Sequence, residues 1–222
     1  MLSHTIFELS PANDRRLFGD ALVGAVSRWA LNLLMEAYEE RRLDAAAEFY
    51  DSIANNPNAG SLRGRMWERQ VLKYLDSLKK PHVFSIRSLD DSSITKWVYP
   101  GPAKRVVFQT STLTQSLRSE VQSIHFVPKD PNYAALDSFV YGPDGLAFNQ
   151  ATVCTKHPVA VVGLKRVQGC LKQNTPPASL RPSKDNRWPL NFIVPDSIAD
   201  SPSKGILPKG NGLRKLISMC LV

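Results

Sequence analysis

The amino-acid sequence predicts a mixed domain of the α/β or α+β class, and three observations carry that prediction. Apolar residues recur with a helical period up to about residue 78, alternate by two from about 82 to 154, then turn helical again before a last apolar run at Leu190–Val194. Turn chemistry separates the alternating runs: Asp90-Asp91-Ser92, Pro100-Gly101-Pro102 and Gly142-Pro143-Asp144-Gly145. A composition of 43% hydrophobic and 22% charged residues is that of a chain able to bury a core.

The elements follow in order. Leu17, Ala21, Ala25, Trp29, Leu33 and Ala37 return about once per turn, which predicts a long helix over Arg15–Leu43, capped by Asn13 or Asp14. A second helix over Asp44–Ala54 ends in the breaker run Asn55-Asn56-Pro57-Asn58. The third starts after Gly60 and runs to about Leu78, where Lys79-Lys80-Pro81 stops it. Short runs rich in β-branched and aromatic residues then predict strands at His82–Leu89, Ile94–Tyr99, Lys104–Gln109, Val121–Val127, Ala135–Tyr141 and Leu146–Cys154. The last two read as a hairpin about Gly142–Gly145. His157-Pro158 opens a helix to about Lys172, a Pro- and Ser-rich basic loop follows, and Leu190–Val194 reads as one more buried strand. No element is assigned beyond Pro195, and Asp200–Gly212 reads as mobile. The segments group as an amino-terminal helical part (1–58), an α/β domain (59–196) and a basic tail (197–222).

Charge is distributed unevenly. The net charge is +8, yet residues 1–150 carry 17 basic and 17 acidic side chains, while residues 151–222 carry 11 basic and 3 acidic ones. A basic excess of this kind suits a polyanionic partner or a solvated surface. No apolar run approaches the roughly 18 residues of a membrane span, and MLSHTIFELS has no secretory pattern. Three scattered cysteines, Cys154, Cys170 and Cys220, form no paired framework, which predicts a reduced intracellular compartment.

Three polar residues occupy positions that the pattern would fill with apolar ones. Glu68 shares its helix face with Val71, Leu72 and Leu75. A lone buried carboxylate costs several kcal/mol unless paired or bound to a cation, so Glu68 is a ligand or pairs with Arg65 or Arg69 at the stripe's rim. Asp137 interrupts a strand, which either metal coordination or an edge or bulge position explains, and Gln150 faces the same side as Phe148 and Thr152. The Gly142–Gly145 turn brings Asp137 and Gln150 toward each other at one end of the hairpin.

An acid on a strand, a polar ligand on the next and a carboxylate on a preceding helix match the metal-dependent nuclease pattern acid-x(n)-[DE]-x-K. There, hard oxygen ligands hold Mg²⁺ and a lysine stabilises charge on the phosphate. Thr152 stands where that lysine belongs, and Gln150 is neutral where an acid is usual. Substitutes are Lys156 beyond the strand, or Lys165 and Lys172 on the following helix, whose apolar stripe is Ala160, Leu164, Val167 and Leu171. The four histidines lack metal-ligand spacing with the cysteines, no phosphate-binding glycine loop or serine elbow is present, and Cys154 with His157 is a poor thiol nucleophile pair.

The stretches Leu62–Arg69, Phe126-Val127-Pro128 leading to Ala135–Ser138, and Gln150-Ala151-Thr152 followed by His157 and Gly163-Leu164-Lys165 resemble the carboxy-terminal part of fungal Crinkler-type and retrotransposon-hot-spot proteins. The likeness spans roughly residues 20–195 and rests on short motifs. It implies a restriction-endonuclease-like core, helix–antiparallel strands–helix–strand, with extra amino-terminal helices, and an upstream NTPase domain as neighbour. It implies metal ligation by Glu68, Asp137 and Gln150; the lysine near the scissile phosphate would be one of the substitutes, Lys165 or Lys156.

Two functions follow as expectations. One is a domain that binds DNA and hydrolyses phosphodiester bonds with Mg²⁺, its phosphate contacts coming from Lys165, Arg166, Lys172, Arg181, Lys184 and Arg187. The other is a degenerate nuclease fold retained as a nucleic-acid- or protein-binding module. A structural fragment with a solvated basic tail is the third and plainest reading.

Overall fold

A computed structural model of the chain describes residues 7–11, 21–25, 36, 43–53, 59–89, 91–102, 104–117, 123–130, 133, 136–142, 145–154, 156–173, 187–195, 198, 204–206 and 217–221. The chain divides into two compact units, Met1–Arg69 and Gln70–Val222, and the division falls inside a helix.

The first unit holds a two-stranded antiparallel ribbon, β1 (Phe7–Pro11) with β2 (Ala21–Ala25), and the helix α1 (Leu43–Ser52). The helix α2 (Gly60–Ser77) starts here and continues into the second unit. The long helix expected over Arg15–Leu43 is therefore interrupted: Ala21–Ala25 is extended and pairs with Phe7–Pro11. Leu17, Ala21 and Ala25 mimic a helical period, but pairing with Phe7–Pro11 overrides it, and Val23 is the one residue of Ala21–Ala25 whose own preference is for a strand. Of the rest of that expected helix, Glu36 is helical and Leu43 opens α1, while the other residues lie outside the described ones. Around α1 and α2, Leu62 and Met66 are buried, the Tyr50 and Trp67 rings lie 6.3 Å apart, and the Arg63 guanidinium sits 5.1 Å from the Tyr50 ring centre.

The second unit is built on an eight-stranded mixed sheet in the order β4-β3-β12-β10-β8-β7-β6-β5. Its strands are β3 (His82–Ser88), β4 (Ile94–Tyr99), β5 (Lys104–Phe108), β6 (Ile124–Pro128), β7 (Ser138–Gly142), β8 (Gly145–Ala151), β10 (Trp188–Ile193) and β12 (Ile217–Leu221). The β3–β4 turn is held by the Asp91 carboxylate, which accepts from the Ser93 amide at 3.0 Å and its hydroxyl at 2.7 Å. Those bonds, the hydroxyl's first, lower the Asp91 pKa to about 2. After β4, Gly101 takes a φ of +65°, where an added Cβ would meet the Lys80 backbone at 2.4 Å.

Pairing is antiparallel through β6–β7–β8 and parallel for β5–β6, β8–β10 and β10–β12. The parallel β5–β6 pair is bridged by the short helix α3 (Thr110–Ser116), an element the Ser- and Thr-rich sequence did not announce. The helix α4 (Val161–Gln173) carries the chain from β8 across to β10. His157-Pro158 does not open that helix: Lys156–Pro158 is a short strand, β9, parallel to β11 (Lys204–Ile206). The segment beyond Pro195, expected to be without periodic structure, thus supplies β11 and, in β12, an interior strand of the main sheet.

The two faces of the central strands differ. Register places Phe126, Phe139, Phe148 and Leu190 in one row, with Phe108 and Trp188 on the same side. Phe126 and Phe139 stack at 4.7 Å, and Phe148 meets Trp188 edge-on at 5.2 Å. Leu113 and Leu117 of the α3 region and Val161, Leu164, Val167 and Cys170 of α4 complete this core. The α4 stripe differs from expectation at Ala160, which precedes the helix and is exposed, while Val161 and Cys170 are buried. Opposite the aromatic row lie Arg105, His125, Ser138, Asn149 and Asn191, and all but Arg105 are essentially inaccessible.

Candidate functional site

The hairpin β7–β8 closes through Gly142 opposite Gly145, and Gly145 adopts a φ of +106° that only glycine takes without strain. Ser138 pairs with Asn149, so the register continued by one residue sets Asp137 opposite Gln150. The expected approach of Asp137 and Gln150 at the open end of this hairpin is therefore present. The Asp137 amide donates to the Asn149 carbonyl at 3.0 Å. Its carboxylate Oδ2 accepts from the Ala151 amide at 2.7 Å, a charge-assisted bond that pins the end of β8.

Gln150 is buried, on the side of Phe148 and Trp188, because β8 is an interior strand with both faces covered. Thr152 follows on that side and is buried as well. Its amide donates to the Ile193 carbonyl at 3.0 Å, and its hydroxyl accepts from the Cys154 amide at 3.1 Å. The hydroxyl thus serves a local turn at the place where the nuclease pattern has an ammonium group.

Glu68 is half-buried on α2 and belongs to the first unit, whereas Asp137 and Gln150 belong to the second. Lys165 and Arg166 are exposed on α4, and Arg166 holds its guanidinium 5.9 Å from the Tyr133 ring centre. Arg187 is exposed immediately before β10. The side chains of Lys156 and Lys172, and residues Arg181 and Lys184 altogether, lie outside the described residues. Among the described residues at the open end of the hairpin, the donor set is one carboxylate, with an oxygen already bound to an amide, and one neutral amide side chain. Such a set fits Mg²⁺ poorly, since that ion favours carboxylate oxygens in near-octahedral geometry. Among the described residues no three His, Cys, Asp or Glu side chains gather into a metal-holding group.

Two polar systems on the other face escaped sequence reasoning. In the first, the Asn191 side-chain amide donates to the Asn149 carbonyl oxygen at 3.2 Å, and the Asn149 amide donates to the Ser138 hydroxyl at 3.4 Å, linking β10, β8 and β7. In the second, His125 Nδ1 lies 2.6 Å from Asp76 Oδ1, while Arg105 donates to Asp76 Oδ2 at 2.8 Å. Burial pushes the Asp76 carboxyl up, but the His125 hydrogen bond and the neighbouring His125 and Arg105 charges outweigh it and hold Asp76 below the usual carboxylate value. Tyr99 of β4 lies 6.4 Å from the His125 ring although β4 and β6 stand near opposite ends of the sheet, so the sheet curls toward itself here. Burial, with the Asp76 charge second, pushes the Tyr99 phenol up. An Asn between Phe148 and Gln150 on a strand buried on both faces was the signal for the first system.

No protein family, no curated protein and no solved structure matches this chain. Among the described residues no helix is long and apolar enough to cross a membrane.

Proposed function

We propose that the second unit is a nuclease-type α/β domain that binds DNA as a module, with the hydrolytic apparatus of that fold reduced. The observation that carries the reading is the chain order: the antiparallel meander β6–β7–β8, a crossover through α4, and β10 parallel beside β8. That order is compatible with the helix–antiparallel strands–helix–strand core that the Crinkler-type resemblance implies. The β7–β8 register, continued by one residue, brings Asp137 opposite Gln150, which supports the reading.

What supports a binding module over a hydrolase is local chemistry. Asp137 is engaged with the Ala151 amide, Thr152 replaces the lysine and bonds within its own turn, and Gln150 is neutral. The role of Glu68 as a ligand rests on the resemblance alone. Phosphate contacts come from Lys165, Arg166 and Arg187 among the described residues, and affinity falls with salt as counterions are released.

Fluorescence anisotropy with a labelled DNA duplex tests the reading, with plasmid nicking in Mg²⁺ alongside. Replacing Lys165 and Arg166 together by alanine should weaken binding and lower the salt slope by about two. Asp137→Asn should leave binding intact. Nicking in Mg²⁺ by the wild type that Asp137→Asn abolishes would instead establish the hydrolase, and no binding in either assay would refute both.

A further inference from the structure

The neutral balance of residues 1–150 conceals a local excess. Residues 73–105 hold seven basic side chains against three acidic ones. Of those three, Asp76 is tied to His125 and Arg105, and Asp91 closes the β3–β4 turn. The same stretch carries an aromatic cluster. Phe84 and Trp97, paired across β3 and β4, stack with ring centres 5.7 Å apart and planes inclined by 24°. His82 meets Phe84 at 4.7 Å, and Tyr74 of α2 meets it edge-on at 6.3 Å.

This cluster is not sealed. Tyr74 is 49% exposed, and His82, Phe84 and Trp97 are each only half-buried. Lys79 and Lys80, both exposed, stand in the connection from α2 to β3, and the Lys80 backbone abuts Gly101 at the end of β4. Partly open aromatic rings in a stretch that also exposes Lys79 and Lys80, with its described acids Asp76 and Asp91 engaged, suit a polyanion that carries flat aromatic groups of its own.

We infer that the β3–β4 hairpin and the end of α2 form a stacking platform for single-stranded nucleic acid. Bases stack on Trp97 and Tyr74 while Lys79 and Lys80 meet the phosphates, an arrangement tolerant of sequence because every base has a π-face. A duplex, with its bases already stacked, offers this surface only phosphates. The inference extends the DNA-binding reading to a second surface on separate elements from α4, so the two can fail separately.

The test uses the full chain and a fluorescein-labelled oligothymidylate of about 20 nucleotides beside a duplex of equal length. Trp97→Leu and Tyr74→Leu should each weaken the oligothymidylate by about tenfold or more. Lys79→Glu with Lys80→Glu should weaken it and flatten its salt dependence, at an unchanged melting temperature. Tyr74 and the two lysines, being exposed, keep the test valid if Trp97→Leu disturbs folding. Unchanged oligothymidylate affinity in the Tyr74 and double-lysine variants would overturn the platform, whatever α4 does. Single-strand binding lost in these variants, with no duplex binding in the wild type, would uphold the platform and refute the α4 reading. A shift from dimer to monomer in Trp97→Leu with no oligothymidylate binding would show that a second copy occupies the face, and would overturn the inference.

Discussion

The aromatic and polar faces of the central sheet are equally hidden from water, yet they are built on opposite principles. Phe126, Phe139 and Phe148 fill one side with ring contacts that need no directionality beyond packing. Ser138, Asn149 and Asn191 occupy the other in single file, each joined to the next strand by a hydrogen bond. A one-residue slip would move both rows to the wrong faces, and a two-residue slip, which keeps rings facing rings, would still break the Asn149–Ser138 and Asn191–Asn149 bonds. The comparison teaches that ring packing dominates one face while directional bonds on the other add to the register.

The largest effect should come from breaking the aromatic side. Phe148→Ala, fully buried between Phe139 and Trp188, should destabilise the fold by about 3–5 kcal/mol in urea unfolding. Breaking the polar side should cost less. Asn149→Ala strands the Asn191 amide and should cost about 1–3 kcal/mol. A double-mutant cycle with Asn191→Ala should return a coupling energy of about 1 kcal/mol, and zero coupling would remove the register argument.

The smallest effect concerns Asp76 at the same face's edge. Its carboxyl is held below the ordinary value, so its contribution is complete above the unfolded-state pKa of about 3.9 and disappears as pH falls through the folded-state value. Asp76→Asn should therefore remove part of the acid-induced loss of stability while changing the melt near neutral pH by an amount on the order of 1 kcal/mol. An acid limb identical in wild type and variant would show that another group carries it.

Legibility in the sequence followed the physics of each element. The strands His82–Ser88 and Ile94–Tyr99 were readable because short β-branched and aromatic runs lie between strong turn residues, and Gly145–Ala151 because the Gly142–Gly145 turn precedes it. The helix Gly60–Ser77 was readable from its stripe and its Lys79-Lys80-Pro81 stop. Thr110–Ser116 was not, since Thr, Ser and Gln look like a loop and only Leu113 and the following Leu117 report a buried side. Ile217–Leu221 was not, because this interior strand, parallel to β10 and antiparallel to β3, is a short apolar run with neither alternation nor turn residues after it. Parallel pairing of β5 with β6 depends on α3 and was hidden with it.

The site divides in the same way. The approach of Asp137 to Gln150 was legible because one turn fixes it. The bond from Ala151 to the Asp137 carboxylate, and the use of the Thr152 hydroxyl within its own turn, depend on backbone geometry that residue types do not encode. Asn191 lies 42 residues from Asn149, and Asp76 lies 49 from His125, distances over which no local pattern speaks.

The central claim, a nuclease-type frame used for binding rather than cutting, is tested most directly by one titration. A labelled duplex is titrated with wild type and Asp137→Asn, with Mg²⁺ and with EDTA, and the products are run on a denaturing gel. The account predicts equal, salt-sensitive binding in all four conditions and an intact duplex. Cleavage by the wild type in Mg²⁺ alone, absent in Asp137→Asn, would contradict it.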